Sequence, residues 1–220
     1  MKKFAFSQGS VLARIAAGVM LAALVSSAHA AAAIDASAPQ KLIETSSQAL
    51  LADLDANRTT YRKDPTGLYK LVEKEFLPHV DVDFAAQQVL GKYWREADPA
   101  QRKRFVTAFY QSLLHTYGDA LVEFTSDRLK VLPYQGDATA DRGTVRTEIR
   151  RSNGSSVAVN YSMRKTATGE WKAWDVVIEG ISYVKSFRED FGREIEQKGL
   201  EAVIKRLESG TAWPAPGKKA

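Results

Sequence analysis

Apolar residues recur at two different periods along this chain, and the change falls near residue 125. Before it they return every three or four positions, the mark of a helix with one face turned to a core. Leu42, Ile43, Leu50, Leu51 and Leu54 predict a first amphipathic helix from Pro39 to about Ala56. Asp64-Pro65 supplies the cap and first-turn proline of a second, which runs through Leu68, Leu71, Val72 and Phe76 and stops at Pro78. A short helix restarts at Asp81, carries Phe84, Val89 and Leu90, and ends at Gly91. The clearest begins at Asp98-Pro99-Ala100-Gln101, where the glutamine three residues after the cap completes a capping box. Its stripe of Phe105, Phe109, Leu113, Tyr117, Leu121 and Phe124 is spaced mostly by four, so one face stays apolar along a helix of about 25 residues.

After Thr125 the period becomes two. Arg128 to Tyr134 predicts a first strand, held to a sheet edge by Pro133, and residues 136–143 a loop. From Thr144 to Arg151, Val145, Thr147 and Ile149 face one way, and Arg146, Glu148 and Arg150 the other. Asn153-Gly154 reads as a hairpin turn into a strand with Val157, Val159, Tyr161 and Met163 on one face. Thr168-Gly169 turns into a last strand to Ile178, in which alternation puts Trp174, Val176 and Ile178 on one side and Asp175 on the other. Gly180 breaks that strand, Ser182 caps a helix with Tyr183, Val184, Phe187 and Phe191, and Gly199 precedes a final helix with Leu200, Val203, Ile204 and Leu207. The predicted class is α+β: a curved antiparallel meander of about four strands, covered on one face by the helical first half and the closing helices.

Composition changes the picture in three places. Lys2 and Lys3, an apolar run from Ile15 to Val25 and Ala28-His29-Ala30 read as a secretory signal over residues 1–30, leaving a single domain at 31–208 and a disordered tail at 209–220. Removing that signal lowers Lys+Arg from 31 to 28 against 26 acidic residues, so the mature chain carries only +2 and lacks the dense basic field of a nucleic-acid binder. The absence of cysteine excludes disulfides and thiolate sites. His79 and His115, the histidines left after cleavage, have no metal-ligand spacing, so no metal site is expected.

The tract from Trp171 to Val184, WKAWDVVIEGISYV, is similar to the signature of the MlaC family, also described as toluene-tolerance auxiliary proteins. The resemblance extends to Gly91-Lys92-Tyr93-Trp94-Arg95, to Gln101-Arg102 with Phe105, Phe109, Leu113 and Tyr117, and to Ser186-Phe187-Arg188 with Phe191. It spans roughly residues 40 to 207. It implies a periplasmic phospholipid carrier with no reaction and no cofactor, which holds acyl chains in a hydrophobic cavity between sheet and helices. Such a carrier shuttles lipid between an outer-membrane lipoprotein complex and the periplasmic lipid-binding subunit of an inner-membrane ABC transporter, in a system that maintains outer-membrane lipid asymmetry. The expected state is a monomer.

Two readings stand side by side for the apolar residues. Periodicity alone makes them core, because every helix and every half-buried sheet needs a core face. The resemblance makes Trp94, Phe105, Phe109, Leu113, Tyr117, Val145, Ile149, Val157, Val159, Tyr161, Trp174, Val176, Ile178, Tyr183 and Phe187 candidates for lipid contact. Arg142, Arg146, Arg150 and Arg151 are either a solvated face or a surface that steers an acidic partner. Two alternatives use the same fold. A cone of helices and sheet also resembles the nuclear-transport-factor-like group, whose enzymes act on small apolar substrates and for which Asp175 and His115 are the candidate acid and base here. A periplasmic adaptor with a filled core needs no ligand at all.

Overall fold

The computed structural model describes residues 38–210 except 138 and 152, so the predicted signal segment and most of the tail lie outside the described residues. Helix α1 (Pro39–Lys63) runs two turns beyond the apolar pattern that predicted it. Those turns are held by polar contacts that periodicity does not register. Arg58 donates to the carbonyl oxygens of Val122 and Phe124, the Tyr61 hydroxyl donates to Asp53 at 2.5 Å, and Arg62 reaches Glu123 at 3.0 Å. The helix stops where it must, at Asp64, because the following proline disfavours helical backbone before it. Asp64 then accepts from Thr66 N at 2.9 Å and caps α2 (Pro65–Glu75).

A short 3-10 turn (Leu77–His79) leads to α3 (Val82–Leu90), capped by Asp81, which accepts from Phe84 N at 3.1 Å. Gly91 ends it at φ +55°, a backbone conformation that favours glycine. Residues between the third and fourth predicted helices then form a short helix, α4 (Lys92–Glu96). The capping box of α5 (Pro99–Leu121) is reciprocal: Asp98 accepts from Gln101 N at 2.8 Å and Gln101 Oε1 from Asp98 N at 3.2 Å.

The sheet is an antiparallel meander in sequence order: β1 (Leu129–Val131), β2 (Arg142–Arg150), β3 (Ser156–Lys165), β4 (Trp171–Ile178) and β5 (Ile181–Ser182). Beyond the four expected strands, β5 adds a fifth. What read as a break at Gly180 is a two-residue turn, with Glu179 at φ +50° and Gly180 at φ +84°, which folds the chain back on β4. Ser182 closes β5 and caps α6 (Tyr183–Lys198) by accepting from Lys185 N at 3.0 Å, and α7 (Leu200–Glu208) completes the fold.

Three clusters form the core. Phe105, Phe109, Phe187, Phe191, Val203 and Ile204 join α3, α5, α6 and α7. Leu50, Leu51, Leu54, Leu68, Leu114 and Val122 join α1, α2 and α5. Leu42 and Ile43, at the start of α1, pack on the sheet through Val145, Met163, Trp171 and Ala173.

Candidate functional site

Residues directly opposite in a sheet share a face. The register pairs Val145 with Tyr161 and Tyr161 with Val176, then Thr147 with Val159 and Val159 with Ile178, and then Ile149 with Val157. One face is therefore apolar across three strands, as alternation predicts. Thr147, its polar member, donates its hydroxyl to the Val159 carbonyl at 2.7 Å and is satisfied within the sheet. Near one end this face meets Leu42 and Ile43, which cover Val145 and touch Tyr161. Toward the other, Val157 and Val159 are buried while Ile149, Val176 and Ile178 keep part of their surface. Tyr161 also keeps some surface, yet burial alone raises its hydroxyl to about 12.

Trp174 does not join this face. The register shifts between Ser162 and Met163: Asp175 pairs with Ser162, Ala173 with Met163, and Trp174 is the extra residue of a β-bulge. Its indole stands edge-on to Phe84 at 5.4 Å, and Phe84 lies under Arg164 at 4.3 Å and Arg142 at 5.5 Å, both on the opposite face. The predicted alignment of Trp174 with Val176 and Ile178 is corrected accordingly, and Trp171 and Ala173 take the apolar side instead. Asp175 does point away from Val176. It is buried, accepts from the Ser182 hydroxyl at 2.6 Å and from Val184 N at 2.9 Å, and anchors the start of α6.

The helical candidates divide. Phe105, Phe109 and Phe187 are at most 3% exposed and pack within the all-helical cluster, Phe105 stacked on Phe109 at 5.6 Å between centroids and Phe187 edge-on to Phe109 at 5.5 Å. They are filled core. Leu113, Tyr117 and Tyr183 sit at the margin of that cluster and remain partly accessible, with the rings of Tyr117 and Tyr183 5.8 Å apart. Burial holds the hydroxyls of both tyrosines above the ordinary phenol range. The Tyr117 oxygen is buried with no hydrogen-bond partner among the described residues, and so are those of Tyr110 and Thr116, two residues the sequence reading passed over. The seven-residue spacing of Tyr110 and Tyr117, two turns on one stripe, was the available signal.

Trp94 lies elsewhere. It lines an open groove of about 460 Å³ with Asp83, Pro99, Arg102, Lys103, Val106 and Thr107, and Arg102 covers its ring at 5.4 Å. A second open groove, about 710 Å³, runs along α6 beside Lys185, Arg188, Glu189, Gly192, Arg193 and Glu196. Both have charged walls on the outside of the molecule.

The arginines occupy the outer sheet face. Arg142, Arg164 and Lys172 stand side by side across three strands, a like-charge row offset by the pairing of Arg164 with Asp81. Arg151 approaches Glu179 at 3.7 Å, while Arg146 and Arg150 have no ion pair among the described residues. The proposed acid and base have separate neighbours: Asp175 serves α6, whereas the His115 ring meets Tyr69 of α2 at 5.0 Å. His79 is half-buried, and desolvation together with nearby Lys172 lowers its pKa. Among the described residues, His, Asp and Glu side chains form no cluster of three able to hold a metal, and no helix is long and apolar enough to cross a membrane.

Comparison with known proteins gives a consistent set of similarities. The family described as MlaC protein matches residues 44–209. The chain is 30% identical over 188 residues to the toluene tolerance protein ttg2D of Pseudomonas putida, covering 85% of this chain and 86% of that protein. It is 24% identical over 184 residues to the intermembrane phospholipid transport system binding protein MlaC of Haemophilus influenzae, covering 83% and 86%. Among solved structures, a phospholipid-binding protein from Ralstonia solanacearum, determined in complex with a phospholipid, superposes with a TM-score of 0.72 at 23% identity, over 78% of this chain and 95% of that one.

Proposed function

The chain belongs to the MlaC family, and from that premise we propose that it is a periplasmic phospholipid carrier, which holds acyl chains against the free half of the apolar sheet face and delivers them between outer- and inner-membrane components of a transport system. The observation that carries this reading is the face itself. Ile149, Val157, Val159, Tyr161, Val176 and Ile178 form a continuous apolar surface on three strands, and part of it is not taken up by α1. A two-chain lipid requires such continuity, since each buried CH₂ is worth about 0.8 kcal/mol and scattered contacts would not match what the bilayer already provides. Because membrane and carrier solvate the chains equally well, exchange with membrane partners is nearly balanced while loss into water stays negligible.

Leu113, Tyr117 and Tyr183 are the helical residues that fit the opposite wall, being partly accessible at the edge of their cluster. The unpaired Arg146 and Arg150 suit docking to acidic membrane-anchored partners, where exposed charge acts mainly on the association rate. Mass spectrometry of an organic extract of the purified protein tests the reading. Phospholipid at near one-to-one stoichiometry is the expected result, and a protein that is lipid-free as isolated and takes none from vesicles would overturn it.

A further inference from the structure

A phenol buried without a partner costs about as much as a lost hydrogen bond, and a folded chain rarely leaves one so. Among the described residues, four buried side-chain oxygens lack any partner, those of Tyr110, Thr116, Tyr117 and Tyr134. Tyr134 has a structural reason, because its hydroxyl fills the space above two glycines, where a Cβ on Gly136 or Gly143 would lie 2.3 or 2.1 Å from it. The α5 tyrosines have none. Tyr117 is the informative one: its oxygen is enclosed while its ring stays partly accessible, and it stands between Leu113 and Tyr183 at the margin of the phenylalanine cluster.

We propose that Tyr117 is a specificity residue of the lipid site, whose hydroxyl donates to an acyl-ester carbonyl of the bound lipid. This rests on the carrier reading and deepens it. An ester carbonyl suits the position because it needs a single donor and is flanked by its own apolar chain, which matches Leu113 and the aromatic wall. The phenol is then unsatisfied when the protein is empty and satisfied when it is loaded. Ester lipids thereby gain over ether lipids of the same head group and chain length, which lack that acceptor.

The experiment offers delipidated protein vesicles of dioleoyl phosphatidylglycerol or of its diether analogue and quantifies the lipid transferred. The expected result is a preference of roughly tenfold for the diester in the wild type, the size of one net hydrogen bond. Tyr117→Phe should abolish that preference by lowering diester uptake alone, while the empty variant unfolds at the same denaturant concentration as wild type or higher, since it no longer buries an unpaired hydroxyl. Equal uptake of both lipids by the wild type overturns the proposal and leaves the carrier reading standing, and this arm does not depend on the variant folding. A preference retained by Tyr117→Phe overturns it as well, and uptake of neither lipid overturns both readings.

Discussion

The phenylalanine cluster and the sheet-facing half of the interior arise from apolar stripes of different period and also differ in how they are filled. In the cluster, five ring pairs among Phe105, Phe109, Phe187 and Phe191 lie 5.5 to 6.0 Å apart, and each ring is at most 3% exposed. Along the sheet, Ile149, Tyr161, Val176 and Ile178 retain surface. The cluster is complementary to itself. The sheet face keeps apolar surface that the chain itself does not fully cover. A folded protein spends most of its interior on the first kind of surface, because only close-packed contacts recover the dispersion energy and conformational entropy that folding requires. The second kind survives where a ligand completes it.

The largest test of this contrast is Phe109→Ala. It removes a ring from the middle of a filled cluster, and a loss of about 3 to 5 kcal/mol in chemical denaturation is expected with the protein lipid-free. A loss under about 1 kcal/mol would mean that the cluster is looser than its ring geometry indicates. Val176→Trp probes the other region. In packed core an added indole costs about 1 to 3 kcal/mol or more, whereas on an unfilled face it should change lipid-free stability by less than about 1 kcal/mol and sharply reduce lipid uptake from vesicles. Both proteins must be compared delipidated, since bound lipid stabilises the native state by mass action. A strongly destabilised variant that still loads normally would assign Val176 to the core.

The smallest effect concerns how the helical half is latched. Arg104 on α5 bridges Glu201 at 2.9 Å and Glu208 at 2.7 Å on α7, and it holds both carboxyls below the usual glutamate range. A depressed folded-state pKa means that the unfolded chain binds protons more readily, so this contribution is present at neutral pH. It fades as the pH falls from about 4.3 through the lowered values. Arg104→Met should flatten that part of the stability profile, as read by thermal unfolding across an acid series. The effect is modest because all three groups reach solvent.

Local chemistry was legible in the sequence by itself. The capping box of Asp98 and Gln101, the stops and starts at Asp64, Asp81 and Ser182, and the alternation of β2 and β3 all appear where the residues require them. Each is satisfied within a few positions of chain, by one hydrogen bond or one period, and needs no knowledge of distant segments. The tertiary structure decided what depends on a partner. The last two turns of α1 exist because Arg58 finds carbonyls more than 60 residues away. Trp174 left the predicted face because β3 imposes a bulge on β4, and a single inserted residue reverses the sides of a strand. Phe109 and Tyr117 lie two turns apart on one apolar stripe, yet one ring is enclosed by phenylalanines and the other stands at their edge with an unpaired oxygen. Periodicity tells which residues leave water; only the packing of helices and sheet around them tells which are enclosed by protein and which keep accessible surface.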